Sequence, residues 1–301
     1  MGVLPLVNTG KAWVSLPHFS YGGVWMDSRG DLSKNRLINS VIDIVNSEKC
    51  DPGFYRVNIE KIVYQQSRLG LKYFIRAFDD QKDESFIKSE KVTTIFNIDT
   101  DQEKTFAGLG SNLRRKINKS LKSNVEIKSG GVELLHDFYQ VYTKNIYHLK
   151  SLNYSKRFFE DLCHSYQFGN LRFFVSYFNG KPAGSALLAS YGGFYENLYF
   201  ATLHQYRKYY VSDGLHWKMI QYATEDKLDS KDGNKVYSFG RSTIDSPVHQ
   251  YKNHWPVTSI PLFVYSNIND VRQNNLLKNT WGLLPGFITK PLGTRLIKHI
   301  Y

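Results

Sequence analysis

The residues best equipped for chemistry lie between Val236 and Tyr265. A strand-like run ends there in Phe239-Gly240-Arg241-Ser242-Thr243, and Tyr251-Lys252 and Trp255 follow in what reads as a loop or short helix. A guanidinium at a strand end, as at Arg241, can fork onto phosphate or carboxylate. A salt bridge to Asp213, Glu225 or Asp245 would occupy it equally well. Ser242 and Thr243 carry the hydroxyls of helix caps. Lys252 is a cation beside aromatic rings, or an ordinary surface lysine. Tyr251 either walls a pocket or packs, and Trp255 suits the core or the wall of a groove. Glu196 and Asn197 fall mid-strand, where a carboxylate is unexpected unless it is paired or faces a cleft. That makes Glu196 a candidate general base.

Three further groups are weaker. Tyr21-Gly22-Gly23 sets a phenol beside backbone that a ligand can approach closely, or is a plain glycine turn. The string Arg114-Arg115-Lys116, with Lys119, Lys122 and Lys128, either binds an anion or forms a solvated face. His148, His204 and His216 show no ligand spacing and read as structural or exposed.

These residues need a scaffold, and the chain can supply one. Its 301 residues are 42% hydrophobic and 22% charged, which excludes disorder, collagen and coiled coil. Lys+Arg 39 against Asp+Glu 27 leaves a formal net charge of +12, so the partners should be anionic. Two distant cysteines, Cys50 and Cys163, exclude a disulfide framework and a cysteine zinc site. No apolar run is long enough to span a bilayer, and a cytoplasmic location is the default expectation.

The first third reads as strands Val3–Val7 and Ala12–Leu16, a helix from Asp31 to Glu48, and strands at Phe54–Ile59, Tyr73–Phe78 and Val92–Ile98. A polar helix is predicted from Asp101 to Lys122, then a strand at Val125–Lys128 and helices at Val132–Tyr147 and Ser155–Tyr166. Three strands follow, Leu171–Phe178, Ala183–Tyr191 and Phe194–Ala201, joined by the hairpin pairs Asn179-Gly180 and Gly192-Gly193. A helix from Ser212 to Lys227 leads to strands at Val236–Phe239 and Leu262–Tyr265.

The order from residue 99 onward, an antiparallel meander feeding a helix and a further strand, is similar to the GNAT acyltransferase fold. The Phe239–Thr243 motif, the Tyr251-Lys252 pair and Trp255 resemble the FemAB-related transferases of the GNAT superfamily, especially those near exopolysaccharide-export genes. Gly2–Leu6, the Tyr21-Gly22-Gly23 loop, Leu113–Ile117 and Trp281–Pro285 resemble that family's other segments, in the same order. Tyr251 stands where the family has Phe, and Pro256 replaces the glycine after Trp255, removing a backbone donor. The family's first domain usually begins several dozen residues earlier.

The resemblance implies an α+β protein with two GNAT-like domains around mixed sheets: an abbreviated one over 1–98, a complete one over 99–270, and a basic helical tail over 271–301. It implies N-acyl or aminoacyl transfer to an amine of a cell-envelope or exopolysaccharide precursor, with aminoacyl-tRNA or acyl-CoA as donor and no metal. By the resemblance, Lys252 stabilises the transferring acyl group, while Arg241, Tyr251, Tyr21, Arg114, Ser242 and Trp255 contact substrate and Glu196 is the candidate base. Ordinary CoA users carry a glycine-rich loop before a helix; Arg207–Gly214 here has one late glycine and an aspartate, which argues against CoA. The alternatives are a CoA-dependent N-acetyltransferase and a non-catalytic binder of anionic membrane or nucleic acid. No motif supports sequence-specific nucleic-acid recognition. The acid-free tail, with Arg272, Lys278, Lys290, Arg295 and Lys298 among apolar residues, suits peripheral contact with an anionic membrane face or packing on the domain.

Overall fold

In the computed structural model the backbone is described for residues 2–3, 6–8, 13–15, 25–26, 73–77, 86–167, 169–226, 235–266 and 286–296, and side chains chiefly for 91–262. The helix and strand expected at 31–48 and 54–59, the Tyr21 loop and most of the tail lie outside the described residues.

The chain forms two compact units, 1–91 with 261–273 and 298–301, and 92–260 with 274–297. The first contains β1 (Gly2–Val3), β2 (Leu6–Asn8), β3 (Trp13–Ser15), β4 (Trp25–Met26) and β5 (Tyr73–Ala77). In it β2 pairs antiparallel with β3, β3 parallel with β5, and β1 antiparallel with β4.

The second unit carries the larger core. Its elements in order are β6 (Phe86–Ile98), α1 (Gln102–Ala107), α2 (Ser111–Lys122), β7 (Val125–Gly130), α3 (Leu135–His148), α4 (Lys156–Ser165), β8 (Asn170–Phe178), β9 (Lys181–Tyr191) and β10 (Phe194–Thr202). Then come α5 (Val211–Glu225), β11 (Lys235–Thr243), α6 (Pro247–Lys252), β12 (Thr258–Ser266) and α7 (Gly286–Leu296). The strand order is β6-β11-β10-β9-β8-β7, a mixed sheet, so the expected α+β architecture with a mixed sheet is found. From Pro261 on, β12 belongs to the first unit and pairs antiparallel with β5.

The meander follows from its turns. Asn179 and Gly180 have φ of 49° and 74°, and Gly192 and Gly193 have 53° and 84°. Left-handed pairs of this kind match the twist of the strands they join. β8 and β9 are buried on both faces, as their near-continuous apolar sequences require. On one face Leu113 and Ile117 of α2 and Leu215, Met219 and Ile220 of α5 meet Phe174, Leu188 and Tyr195. On the other, Phe138 and Tyr142 of α3 and Phe159 of α4 meet Phe173, Val175 and Leu187. Each fully buried side chain of this kind contributes roughly 1.5–3 kcal/mol.

Three local expectations change. The helix predicted over 101–122 is two helices, because Gly108 caps α1 and Gly110 precedes α2, with Leu109 buried between them. β11 runs on through Gly240 to Thr243, so Arg241 and Ser242 lie within the strand, not after it. Gly240 permits this by taking φ 72°. Ser246, not Ser242 or Thr243, caps α6 by accepting from the His249 amide.

α2 crosses α5 closely at Gly214, where an added Cβ would lie 2.4 Å from Ser120 Oγ. Gly214→Ala is expected to destabilise the protein by about 1–3 kcal/mol in urea unfolding. Ser120→Ala in that background should recover part of the loss, because it removes the colliding atom.

Candidate active site

The site forms where two parallel strands part. β10 and β11 pair only through Phe194↔Val236, Tyr195↔Tyr237 and Glu196↔Ser238. Just beyond, β10 has an irregularity between Asn197 and Tyr199, and β11 turns at Gly240. A bulge re-aims a strand and ends its pairing. The result is a fork with Glu196 and Ser238 at its base.

Lys252, the last residue of α6, fills the β11 side of the fork. It is only 5% exposed, and its Nζ donates to the carbonyls of Gly240 (2.8 Å) and Arg241 (3.1 Å). Burial lowers its pKa to about 7, against an upward pull from the Glu196 carboxylate. Glu196 is also buried, and it raises the pKa of Tyr166, a half-buried phenol already shifted up by burial. The Glu196 carboxylate thus acts electrostatically on both Lys252 and Tyr166.

His216, read from the sequence as structural or exposed, is structural. It sits on α5 and is 2% exposed. Its Nδ1 shares a 2.8 Å hydrogen bond with Tyr237 Oη, and its ring stacks on Phe200 at 4.0 Å. Phe239, Tyr251 and Trp255 complete an aromatic surround. Burial and then the charge of Lys252 hold the imidazole pKa well below its usual range, so His216 is neutral. One signal was available: a lone polar ring in Leu215-His216-Trp217, in a helix buried almost all round, must find a partner.

Tyr251 keeps part of its ring in solvent while its hydroxyl is enclosed. That hydroxyl, Trp255 Nε1 and Asp213 Oδ1 are electrostatically coupled, but none of the three atoms makes a well-aligned hydrogen bond. Burial raises the pKa of Asp213, partly offset by Lys116, and burial with the Asp213 charge raises that of Tyr251. Trp255 is 2% exposed and packs on Phe239, so it serves as core and wall. Ser242 is buried in β11 with no partner for Oγ. Arg241 is half-buried and forms no ion pair with Asp213, Glu225 or Asp245.

Arg114 is not among the residues of this cluster. With Arg115, Asn118, Lys119 and Lys122 it lines an open groove of about 610 Å³ along α2, and no carboxylate is among its described lining residues. Lys119 lies over the ring of Tyr210 at 5.2 Å, next to the start of α5. His148 and His204 are exposed, 6.0 Å apart, as the sequence suggested for exposed histidines. Tyr21 lies outside the described residues. Among the described residues no group of three or more His, Cys, Asp or Glu side chains could hold a metal ion, and no helix is long and apolar enough to cross a membrane.

A coenzyme A pyrophosphate would need accessible amides in the first turn of α5. Val211, Asp213 and Gly214 are buried there, Gly214 lies against Ser120, and the Asp213 carboxylate takes its own amide. These residues do not fit the group.

Residues 110–253 match the family described as an acetyltransferase (GNAT) domain. The match takes in the meander, the parallel fork and the buried lysine, so the part of the chain that holds the candidate site is similar to a GNAT acetyltransferase domain. Several solved structures are similar. The structure of FemX is 15% identical over 64% of this chain, with TM-score 0.49, and the match spans 65% of the FemX chain. A conserved protein of unknown function from Bacteroides thetaiotaomicron VPI-5482 is 10% identical over 80% of each chain, with TM-score 0.51. L-PGS from Bacillus licheniformis is 11% identical over 71% of this chain and 74% of its own, with TM-score 0.48. No curated protein sequence matches the chain.

Proposed function

We propose that this acyltransferase moves an acyl or aminoacyl group onto an amino group of a cell-envelope or exopolysaccharide precursor, from a donor other than coenzyme A. The observation that carries the reading is Lys252, buried at the fork of a GNAT sheet and anchored by two carbonyls. Attack of the amine forms a C–N bond and puts negative charge on the acyl oxygen. A fixed ammonium aimed at that oxygen lowers the barrier, because the site needs no reorganisation as the charge develops. Collapse breaks the bond to the donor's leaving oxygen, which takes the proton that the amine releases. Arg241, Ser242 and Tyr251 would line the acceptor side, with Trp255 as wall, and the Arg114 groove would hold the anionic part of the donor. Tyr21 belongs to the same proposal, and so does reading the N-terminal unit as GNAT-like.

The rival is a CoA-dependent N-acetyltransferase, which the name of the matched domain favours. Calorimetric titration separates the two. Saturable CoA binding tighter than about 1 mM is not expected, because the first turn of α5 offers no amide cradle. A micromolar Kd would overturn the preference and make acetyl-CoA the donor. Mass-spectrometric assay of aminoacyl-tRNA and acyl-CoA donors against amine acceptors then names the reaction.

A further inference from the structure

Glu196 reads from its mid-strand position as a general base, and its place at the fork suits a second task. It is the last β10 residue to pair with β11, opposite Ser238, and Lys252 is anchored on the carbonyls of Gly240 and Arg241, just beyond Ser238 on β11. The carboxylate and the ammonium therefore occupy the two sides of one opening, both buried. A carboxylate that neutralises a fixed cation is a poor acceptor for an incoming amine's proton. Its proton affinity is low while the cation is present, and losing its charge would leave the cation unsupported.

We propose, resting on the assignment of Lys252 as the oxyanion cation, that Glu196 is a positioning residue whose carboxylate keeps Lys252 in its ammonium form at the mouth of the fork. An isolated ammonium is costly to bury, and two carbonyl partners hydrogen-bond it without neutralising it. Removing the carboxylate therefore releases the Lys252 proton, and the fork loses its cation in the pH range where the enzyme works.

The surroundings keep this readable. Lys252 faces Glu196 from β10 and His216 from α5, with Tyr251 beside it on α6 and Arg241 contributing its carbonyl on β11. His216 is neutral throughout the neutral range, and Tyr166, Tyr237 and Tyr251 are all shifted above the ordinary phenol value. Asp213 touches Tyr251 rather than Lys252, His249 bonds Ser259 and the Asp245 amide, and His254 packs on Tyr251. A titration of Lys252 near neutrality is thus not confused with one of these phenols or of His216.

The test needs no substrate. In protein labelled with 13Cε-lysine, the Lys252 resonance is the one missing from Lys252→Arg, and its shift is followed from pH 5 to 9. The wild-type midpoint is expected at about 7. In Glu196→Gln it should fall by roughly one unit or more, a tenfold loss of ammonium at fixed pH, and Glu196→Asp should restore much of it. A midpoint unmoved in Glu196→Gln overturns the proposal, and a wild-type midpoint near that of free lysine does so too. If Glu196→Gln does not fold, the midpoint of Glu196→Ala decides: a fall of about a unit or more supports the proposal, and an unmoved value overturns it. Transfer that survives in Lys252→Met would instead defeat the assignment of Lys252, a separate result.

Discussion

Replacing Lys252 with methionine is expected to abolish acyl transfer, by roughly 10²–10³-fold or more, in a protein that still folds. The loss is large because the ammonium acts only where charge develops, so kcat and kcat/KM should fall together. Folding should survive because two effects oppose each other. The Gly240 and Arg241 carbonyls lose their donor, at about 1–3 kcal/mol for each buried group left unpaired. Against this, methionine removes a costly buried charge. Stability against pH gives an independent signature. Lys252 titrates at about 7 when folded and near the ordinary lysine value when unfolded, so between those values the unfolded chain binds more protons. Wild-type stability should therefore gain a rising contribution above pH 7 that the methionine variant lacks. Lys252→Arg keeps its charge at every accessible pH, and any activity it retains should not decline above neutrality. Thermal melts across pH, with single-turnover transfer measured by mass spectrometry, read all three outcomes. Unchanged turnover in Lys252→Met would sink the mechanism.

Much of this site was visible before the fold, for reasons that differ residue by residue. Asn179-Gly180 and Gly192-Gly193 announce their turns because a left-handed pair is a local property of two residues. Lys252 stood out by a motif whose order along the chain resembles a known family. Its environment did not: Tyr166, Glu196, His216, Tyr237 and Lys252 are distant in sequence, and only the sheet brings them together. His216 could be read only as structural or exposed, because no spacing rule names the partner of a helical histidine when that partner lies on a strand, here Tyr237 of β11. The break at Gly108 and Gly110 and the run of β11 through Gly240 were misjudged for a related reason. Glycine permits several backbones, and tertiary packing chooses among them. Ser242 was read as a cap from its type alone, although Ser246, one residue before Pro247, occupies the capping position.

Reversing two charges, Arg114→Glu with Lys119→Glu, is expected to raise KM for the phosphate-bearing donor by roughly 30- to 1000-fold while leaving kcat little changed. Both residues line the groove along α2, which also holds Arg115 and Lys122 and has no acid among its described lining residues. Charge-assisted contacts to phosphate contribute on the order of 1.5–3 kcal/mol each when well made, and a reversed charge adds repulsion. The groove shares no lining residue with the Lys252 anchors, so its cations are expected to bind the donor without altering the charge developed at the acyl oxygen. A KM effect with intact kcat is the mark of such uniform binding. Salt supplies the second reading, because exposed cations are screened within about 10 Å at 0.1 M ionic strength. Wild-type KM should climb steeply with salt, and the double variant should have lost most of that slope. The net charge of +12 is then not a diffuse attraction to any anion. A working part of it belongs to one helix face. An unchanged KM with an unchanged salt slope would return that face to solvent, and the donor's anionic part would have to be sought at Arg241.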